Sequence, residues 1–266
     1  MFVTNLTRRQ TAAQAHSRAP VVWPWMLMGL AWALALVATL TNQQYLINHE
    51  YLLEESQLPV ALALFIFLAC WQVMTVGMML PSSLPFIRMM AYASQKQRRS
   101  RMVQAAFLAG YAIVWTAFAV AAFTGDAFIH QIVDSWPWLA AHAWIIGAST
   151  FTIAGVFQFS PLKEHCLKAC NTPFGFFARY YRQGIGAAWR LGLRHGMFCL
   201  GCCWALMLVM FGVGVGNLAW MAALAGVMTI EKAVPGGRRL SPVVGIVMLL
   251  LAVLWVIHPA WLVVTG

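Results

Sequence analysis

Five of the six cysteines in this chain are grouped in two short stretches whose spacing suits metal binding. The stretches are SPLKEHCLKACNTP, which contains Cys166 and Cys170, and HGMFCLGCC, which contains His195, Cys199, Cys202 and Cys203. Thiolate sulfur and imidazole nitrogen are ligands of zinc, copper(I) and iron–sulfur clusters, and a tetrahedral site takes four such donors. The two stretches therefore predict a soft-metal site or, since thiols also do redox chemistry, a thiol redox site.

Both stretches are predicted to be helical. Pro161 and Pro173 bracket a short helix on which Cys166 and Cys170, four residues apart, share a face. On the second helix, His195 and the three cysteines that follow it fall within a sector about 100° wide. If these two faces meet, their donors can complete one site.

Other side chains are candidates for supporting such a site or relaying its ion: Glu231, His165, Cys70, Met74 and Met78. The last three are spaced four apart, so they form a stripe that could pass a soft cation by thioether exchange. Methionine also fills gaps between helices, which is the plainer interpretation of this stripe. Glu231 either pairs with the adjacent Lys232 or serves as a ligand or as an acceptor for His195.

The composition indicates a membrane protein. The 266 residues are 62% hydrophobic and 9% charged, with a mean hydropathy of +0.74. These values lie far outside the range of soluble globular domains. The net charge of +10 would suggest nucleic acid as the partner of a soluble chain. Here the Lys and Arg residues stand in short loops between apolar runs, where they set topology, so nucleic acid binding is not expected.

Seven apolar segments reach the length of a membrane-spanning helix. They cover about residues 21–41, 60–82, 103–125, 138–160, 195–213, 217–234 and 241–258. The N-terminus and the second, fourth and sixth loops carry Lys and Arg, whereas the first and third loops carry acids and neither Lys nor Arg. Because basic loops stay in the cytoplasm, we expect an all-α, polytopic transmembrane bundle of about seven spans with a cytoplasmic N-terminus and an external C-terminus.

The same pattern predicts the domain organisation. Residues 1–20 form a basic cytoplasmic tail, and residues 21–266 form a single transmembrane helical domain. The first apolar run is longer than the core of a cleaved signal peptide, so we expect it to be retained. Both thiol stretches then lie at the cytoplasmic face, where free thiols or metal ligands are expected rather than disulfides.

Three segments resemble a known family: WQVMTVGMMLPSSLPFI, FQFSPLKEHCLKACNTP and RHGMFCLGCCWALMLVMFGVGVGNLAWMAALAGVMTIEK. Together they are similar to a bacterial family of unknown function that is described as predicted metal-binding integral membrane proteins. The resemblance covers about residues 60–234. It implies a bacterial cytoplasmic (inner) membrane protein, and a small soluble partner protein, because members are often encoded beside one. It also implies that the family's characteristic positions are Cys166, Cys170, His195, Cys199, Cys202, Cys203 and Glu231.

The leading hypothesis is a membrane protein that binds, delivers or transports copper(I) through a Cys/His cluster at the cytoplasmic face. Zinc would suit the same thiols. Copper(I) is preferred because the second span adds methionines, whose thioethers are soft ligands. The expected partners are the lipid bilayer and either a small soluble metal-carrying protein or a larger membrane complex.

Three alternatives stay open. The first is a membrane thiol–disulfide oxidoreductase in which Cys199 and Cys202 cycle between dithiol and disulfide. The second is non-covalent heme held by histidines such as His142 and His195, since the C-x-x-C-H attachment motif is absent. The third is an accessory subunit of a larger membrane metalloprotein complex. Hydrolase and phosphate-binding motifs are also absent from the sequence, which favours a non-enzymatic role.

Overall fold

The computed structural model describes residues 22–41, 59–142, 144–214 and 216–257. The basic tail predicted over 1–20 lies outside the described residues, as do the acidic first loop and the C-terminal end. The described ranges are helical and contain no strand. The α-helices are α1 (Trp23–Leu40), α2 (Val60–Ser94), α3 (Ser100–Ser135), α4 (Pro137–Ala141), α5 (Trp144–Phe157), α6 (Pro161–Asn171), α7 (Pro173–Tyr180), α8 (Ile185–Val213), α9 (Leu218–Ala233) and α10 (Ser241–Ile257).

Several of these helices are long and apolar enough to cross a membrane. Five qualify by length and composition: α1, α2, α3, α8 and the last helix together with the 3₁₀ turn Gly237–Leu240 that leads into it. A sixth candidate is formed by α5 and α6 together, which are bent by 66° at the break between them. The segment expected to be the sixth span, α9, has 16 residues. The described part of the chain therefore provides five or six candidate spans, and the count of seven stays a prediction.

Three helices extend well beyond the apolar segments that predict them. α2 has 35 residues, α3 has 36 and α8 has 29, whereas the corresponding predicted segments are 60–82, 103–125 and 195–213. The reason is that hydropathy marks only the part of a helix that lies in lipid, while helical hydrogen bonding continues into the aqueous boundary.

The central helix of the bundle is α8, which packs against α3, α5 and α6. Its closest neighbour is α3, because glycines on both helices let the backbones touch. A Cβ atom added at Gly110 would lie 3.0 Å from the backbone nitrogen of Leu193, and one at Gly192 would overlap the carbonyl group of Phe107. This contact leaves the thiol-bearing turns of α8 free to face α2, α6 and α9.

The short helix α6 forms as its sequence predicts. Pro161 occupies its first turn, and the Ser160 hydroxyl accepts a hydrogen bond from the Leu162 backbone N–H at 3.1 Å. Ser and Pro at these two positions are typical of a helix start. The helix ends at Asn171, before Pro173 begins α7, and it packs along α8 and α9.

Candidate metal centre

Three thiols of α8 point into the protein interior. Cys199, Cys202 and Cys203 are each at most 1% exposed, and they are free cysteines. The thiols of Cys202 and Cys203 both donate to the carbonyl oxygen of Cys199, at 3.0 and 2.9 Å. These bonds to the preceding turn hold both side chains in defined positions.

The thiols of α6 meet those of α8. Cys166 and Cys170 are buried, and the Cys170 sulfur lies 4.0 Å from the Cys202 sulfur. Gly201 makes room for this approach, since a Cβ atom there would lie 2.6 Å from the Cys166 sulfur. Two thiolates on one metal ion, with bonds of about 2.3 Å, lie about 3.8–4.0 Å apart at tetrahedral or trigonal angles. The spacing of the Cys170 and Cys202 sulfurs thus fits two ligands of a single ion.

A second group of sulfurs surrounds the ammonium of Lys232. The nitrogen lies 3.2 Å from the Cys199 sulfur, 3.3 Å from the Cys203 sulfur and 3.6 Å from the Met79 sulfur. The sulfurs of Cys203 and Met79 are themselves 3.8 Å apart. Sequence reasoning missed both Met79 and Lys232 as members of the site. The only signals were a second methionine beside Met78 and a lysine at the end of an apolar segment.

These side chains are called the sulfur cluster from here on: Met79, Cys170, Cys199, Cys202 and Cys203. Within the described ranges, no three His, Cys, Asp or Glu side chains stand in an arrangement that could hold a metal ion. The cluster instead contains two close sulfur pairs, Cys170–Cys202 and Cys203–Met79, and the second pair includes a thioether. Such a donor set is chemically suited to a soft ion.

His195 is placed beside the cluster and does not contact its sulfurs directly. Its imidazole Nε2 lies 3.3 Å from the Ser83 hydroxyl, and the ring stacks on Phe86 with 4.0 Å between ring centroids. The Ser83 hydroxyl donates to Tyr111 at 3.4 Å, and the Tyr111 hydroxyl lies 3.2 Å from the Cys199 sulfur. The path from the imidazole to the thiols therefore runs through two hydroxyl groups, and the ligand role of His195 stays a prediction.

Glu231 pairs with a residue other than those expected from the sequence. Its carboxylate accepts from the Lys163 ammonium at 2.7 Å and from the Ser241 hydroxyl at 2.9 Å, and Lys163 also donates to the side chain of Gln158. The expected pair with Lys232 is not formed, because adjacent residues on a helix point about 100° apart. The carboxylate serves instead to join α9 to α6 and α10.

The remaining candidates differ in how deeply they are buried. Met74 and Met78 are buried in the same apolar core as the thiols, which suits either packing or a relay. Cys70 is only partly buried. His165 is exposed on α6, with its ring centroid 6.0 Å from that of Phe198. Their supporting roles stay predictions.

Comparison with known protein families finds a match over most of the chain. The model of the PpoB2 family, described as a copper chaperone, matches residues 68–255. The matched region contains all the cysteines and every member of the sulfur cluster. No curated protein and no solved structure matches the chain.

Proposed function

Because this chain belongs to the PpoB2 copper chaperone family, we propose that it binds copper(I) at the sulfur cluster and delivers it to a partner protein at the cytoplasmic face of a bacterial inner membrane. The observation that carries the proposal is the 4.0 Å distance between the sulfurs of Cys170 and Cys202, which come from different helices. Each of the two thiol stretches supplies one of these sulfurs, so neither stretch alone forms the pair.

The donor atoms favour copper(I) over zinc. Copper(I) is stably coordinated by two or three soft sulfur ligands. Structural zinc sites, in contrast, have a tetrahedron of four sulfur or nitrogen donors. The cluster offers thiol pairs and the thioether of Met79, while the His195 imidazole is directed to Ser83. A site built from sulfur alone would bind a soft monovalent ion and release it to another sulfur ligand.

The burial of the cluster bears on how delivery takes place. Its members are buried within the bundle, so a partner can reach the bound ion only if a covering element moves. The best candidate is α6, because it is short and stands at the 66° break after α5. A small soluble metal-carrying protein or a larger membrane complex would then exchange the ion at Cys170.

The test is a copper(I) titration of the full chain in detergent, kept reduced with a non-thiol reductant and competed with a copper(I) chelator. We expect about one tightly bound ion per chain, with sulfur-only coordination near 2.3 Å by X-ray absorption spectroscopy. At least one of the variants C170S/C202S and C199S/C203S should lose most of this binding, because each removes two sulfurs of the cluster. The matched control is Cys70→Ser, which changes a partly buried thiol outside the cluster and should leave binding intact.

Two results would overturn the proposal. One is wild-type protein that is correctly folded and still binds no copper(I) from the chelator. The other is a pair of variants, C170S/C202S and C199S/C203S, that both bind copper(I) as tightly as the wild type, because the ion would then lie outside the sulfur cluster.

Thiol–disulfide exchange has one observation in its favour. The Cys170 and Cys202 sulfurs are 4.0 Å apart. A disulfide between them would require the two sulfurs to approach to about 2.05 Å, which is a short movement. This function predicts that a Cys170–Cys202 or Cys199–Cys202 disulfide can be trapped in cells by rapid acid quenching and alkylation. Thiols that are fully reduced under every growth condition would exclude it.

A further inference from the structure

Lys232 carries a buried charge that no carboxylate among the described residues balances. The buried ionic side chains in the described ranges are Lys163, Glu231 and Lys232, the last only 4% exposed. Lys163 and Glu231 pair with each other at 2.7 Å. None of the ion pairs formed by described residues includes Lys232. A buried charge without a counter-charge is costly, so the partner of this ammonium must come from the groups that it touches.

The groups around Lys232 are sulfurs. Its ammonium lies within 3.2–3.6 Å of Cys199, Cys203 and Met79. Thiol and thioether sulfurs are weak hydrogen-bond acceptors when neutral. A thiolate is a full negative charge, and a thiolate bound to metal remains electron-rich. The ammonium therefore stands where it would balance sulfur anions.

We propose that Lys232 is a specificity-determining residue that makes the Cys199/Cys203/Met79 end of the sulfur cluster select a monovalent over a divalent soft cation. This inference rests on the proposed function, because it assumes that the cluster binds copper(I). It adds a physical reason why the site prefers a monovalent ion to a divalent one.

The reason is the charge of the loaded site. Metal-bound cysteines are deprotonated, so Cys199 and Cys203 contribute two negative charges and Met79 none. With the Lys232 ammonium beside them, a monovalent ion brings the sum to zero, and a divalent ion leaves one positive charge. In a buried site that residual charge is penalised strongly, whereas in water it would matter little.

The loading step conserves charge and oxidation state. Copper stays copper(I) as two bonds to a carrier's thiolates break and two bonds to Cys199 and Cys203 form. The protons that leave these two thiols pass to the thiolates released on the carrier, and Lys232 keeps its proton throughout. The 3.8 Å spacing of the Cys203 and Met79 sulfurs allows the thioether to join as a third ligand.

The experiment compares copper(I) and zinc(II) affinities of the full-length chain in detergent, each ion being buffered by its own chelator. In Lys232→Gln, which removes the charge and keeps a polar side chain, we expect the preference for copper(I) over zinc(II) to fall at least tenfold. Lys232→Arg keeps the charge and should retain most of the preference. The matched control is Lys168→Gln, which removes a charge from an exposed lysine paired with Glu164 at 2.6 Å and should leave the preference unchanged.

The outcomes separate this inference from the proposed function. Wild-type protein that binds no copper(I) would overturn the proposed function itself. Wild-type binding of copper(I) with the same preference in Lys232→Gln would overturn the role of Lys232 alone. A Lys232→Arg variant that behaves like Lys232→Gln would also overturn it, because the charge would then be irrelevant.

A second measurement covers the case in which Lys232→Gln does not fold. Silver(I) and cadmium(II) are both thiophilic and differ in charge, so their affinities for the wild-type chain can be compared with those for dithiothreitol. We expect the ratio of silver(I) to cadmium(II) affinity to be at least tenfold higher for the protein. A ratio equal to that of the small dithiol would contradict charge selection.

Discussion

Glu231 and Lys232 are neighbours in the sequence, yet their charged groups contact different parts of the molecule. Glu231 is held by Lys163 and Ser241, while Lys232 is held by sulfurs. Since the two side chains leave the helix about 100° apart, each faces a different neighbour. The carboxylate therefore contributes to the packing of α9 on α6 and α10, and the ammonium lies at the sulfur cluster.

Removing the charge of Glu231 should destabilise the protein. Glu231→Gln leaves the Lys163 ammonium buried without a counter-charge, and both residues are only 1% exposed. We expect a loss of about 3–5 kcal/mol in the free energy of unfolding, measured by denaturant titration in detergent.

The double variant K163M/E231L is the control for this prediction. It removes both charges together, so it should recover most of the lost stability. Copper(I) binding by the double variant should match that of the wild type, because the carboxylate touches no sulfur. A stable double variant that has lost copper(I) would show that Glu231 is itself a ligand.

At the scale of elements, the site depends on how closely helices approach α8. The α3–α8 contact requires glycine, because a Cβ atom at Gly192 would overlap the Phe107 carbonyl group. The α6–α8 contact depends on Gly201, which leaves space for the Cys166 sulfur. Glycines thus position the thiols by letting the helices approach closely, and they supply no ligand atom themselves.

Gly192→Ala should lower stability by forcing α3 away from α8. We expect a loss of about 1–3 kcal/mol, as for other over-packed interiors, measured as a shift in the unfolding midpoint in detergent. The matched control is Gly186→Ala on the same helix, where an added Cβ atom meets nothing within 4 Å. The control should be unchanged or slightly more stable, since alanine favours helix. Equal effects of both substitutions would contradict close backbone contact at Gly192.

The elements themselves could be predicted better than their partners. Ser160, Pro161 and Pro173 mark the ends of α6 by local rules, and the helix is found where they place it. The meeting of α6 with α8 is also expected, because the cysteines of each helix share one face. The contact between Lys232 and Met79 joins residues 153 apart. Which methionine or lysine reaches the thiols depends on how whole helices are oriented, and local periodicity does not contain that information.

At the scale of the whole molecule, the number of membrane spans bears on the compartment from which a partner protein reaches the sulfur cluster. What matters is whether that number is odd or even. An odd number of spans puts the two termini on opposite sides, and an even number puts them together. The bent pair α5 and α6 and the 16-residue α9 are the two segments on which the count depends. The basic residues near the ends of α2 and α8, such as Arg98 and Arg190, favour a cytoplasmic position for the cluster.

Reporter fusions can decide the parity. We expect green fluorescent protein inserted after Gln97, in the short connection between α2 and α3, to fluoresce, because that loop is basic and should lie in the cytoplasm. Alkaline phosphatase fused after Gly266 should be active, because the seven predicted spans would place the C-terminus outside. In the control fusions the two reporters exchange positions, with alkaline phosphatase after Gln97 and green fluorescent protein after Gly266. Both control reporters should be inactive. A fluorescent C-terminal fusion with an inactive phosphatase would mean an even number of spans. In that case α9, or the pair α5 and α6, would enter the membrane without crossing it.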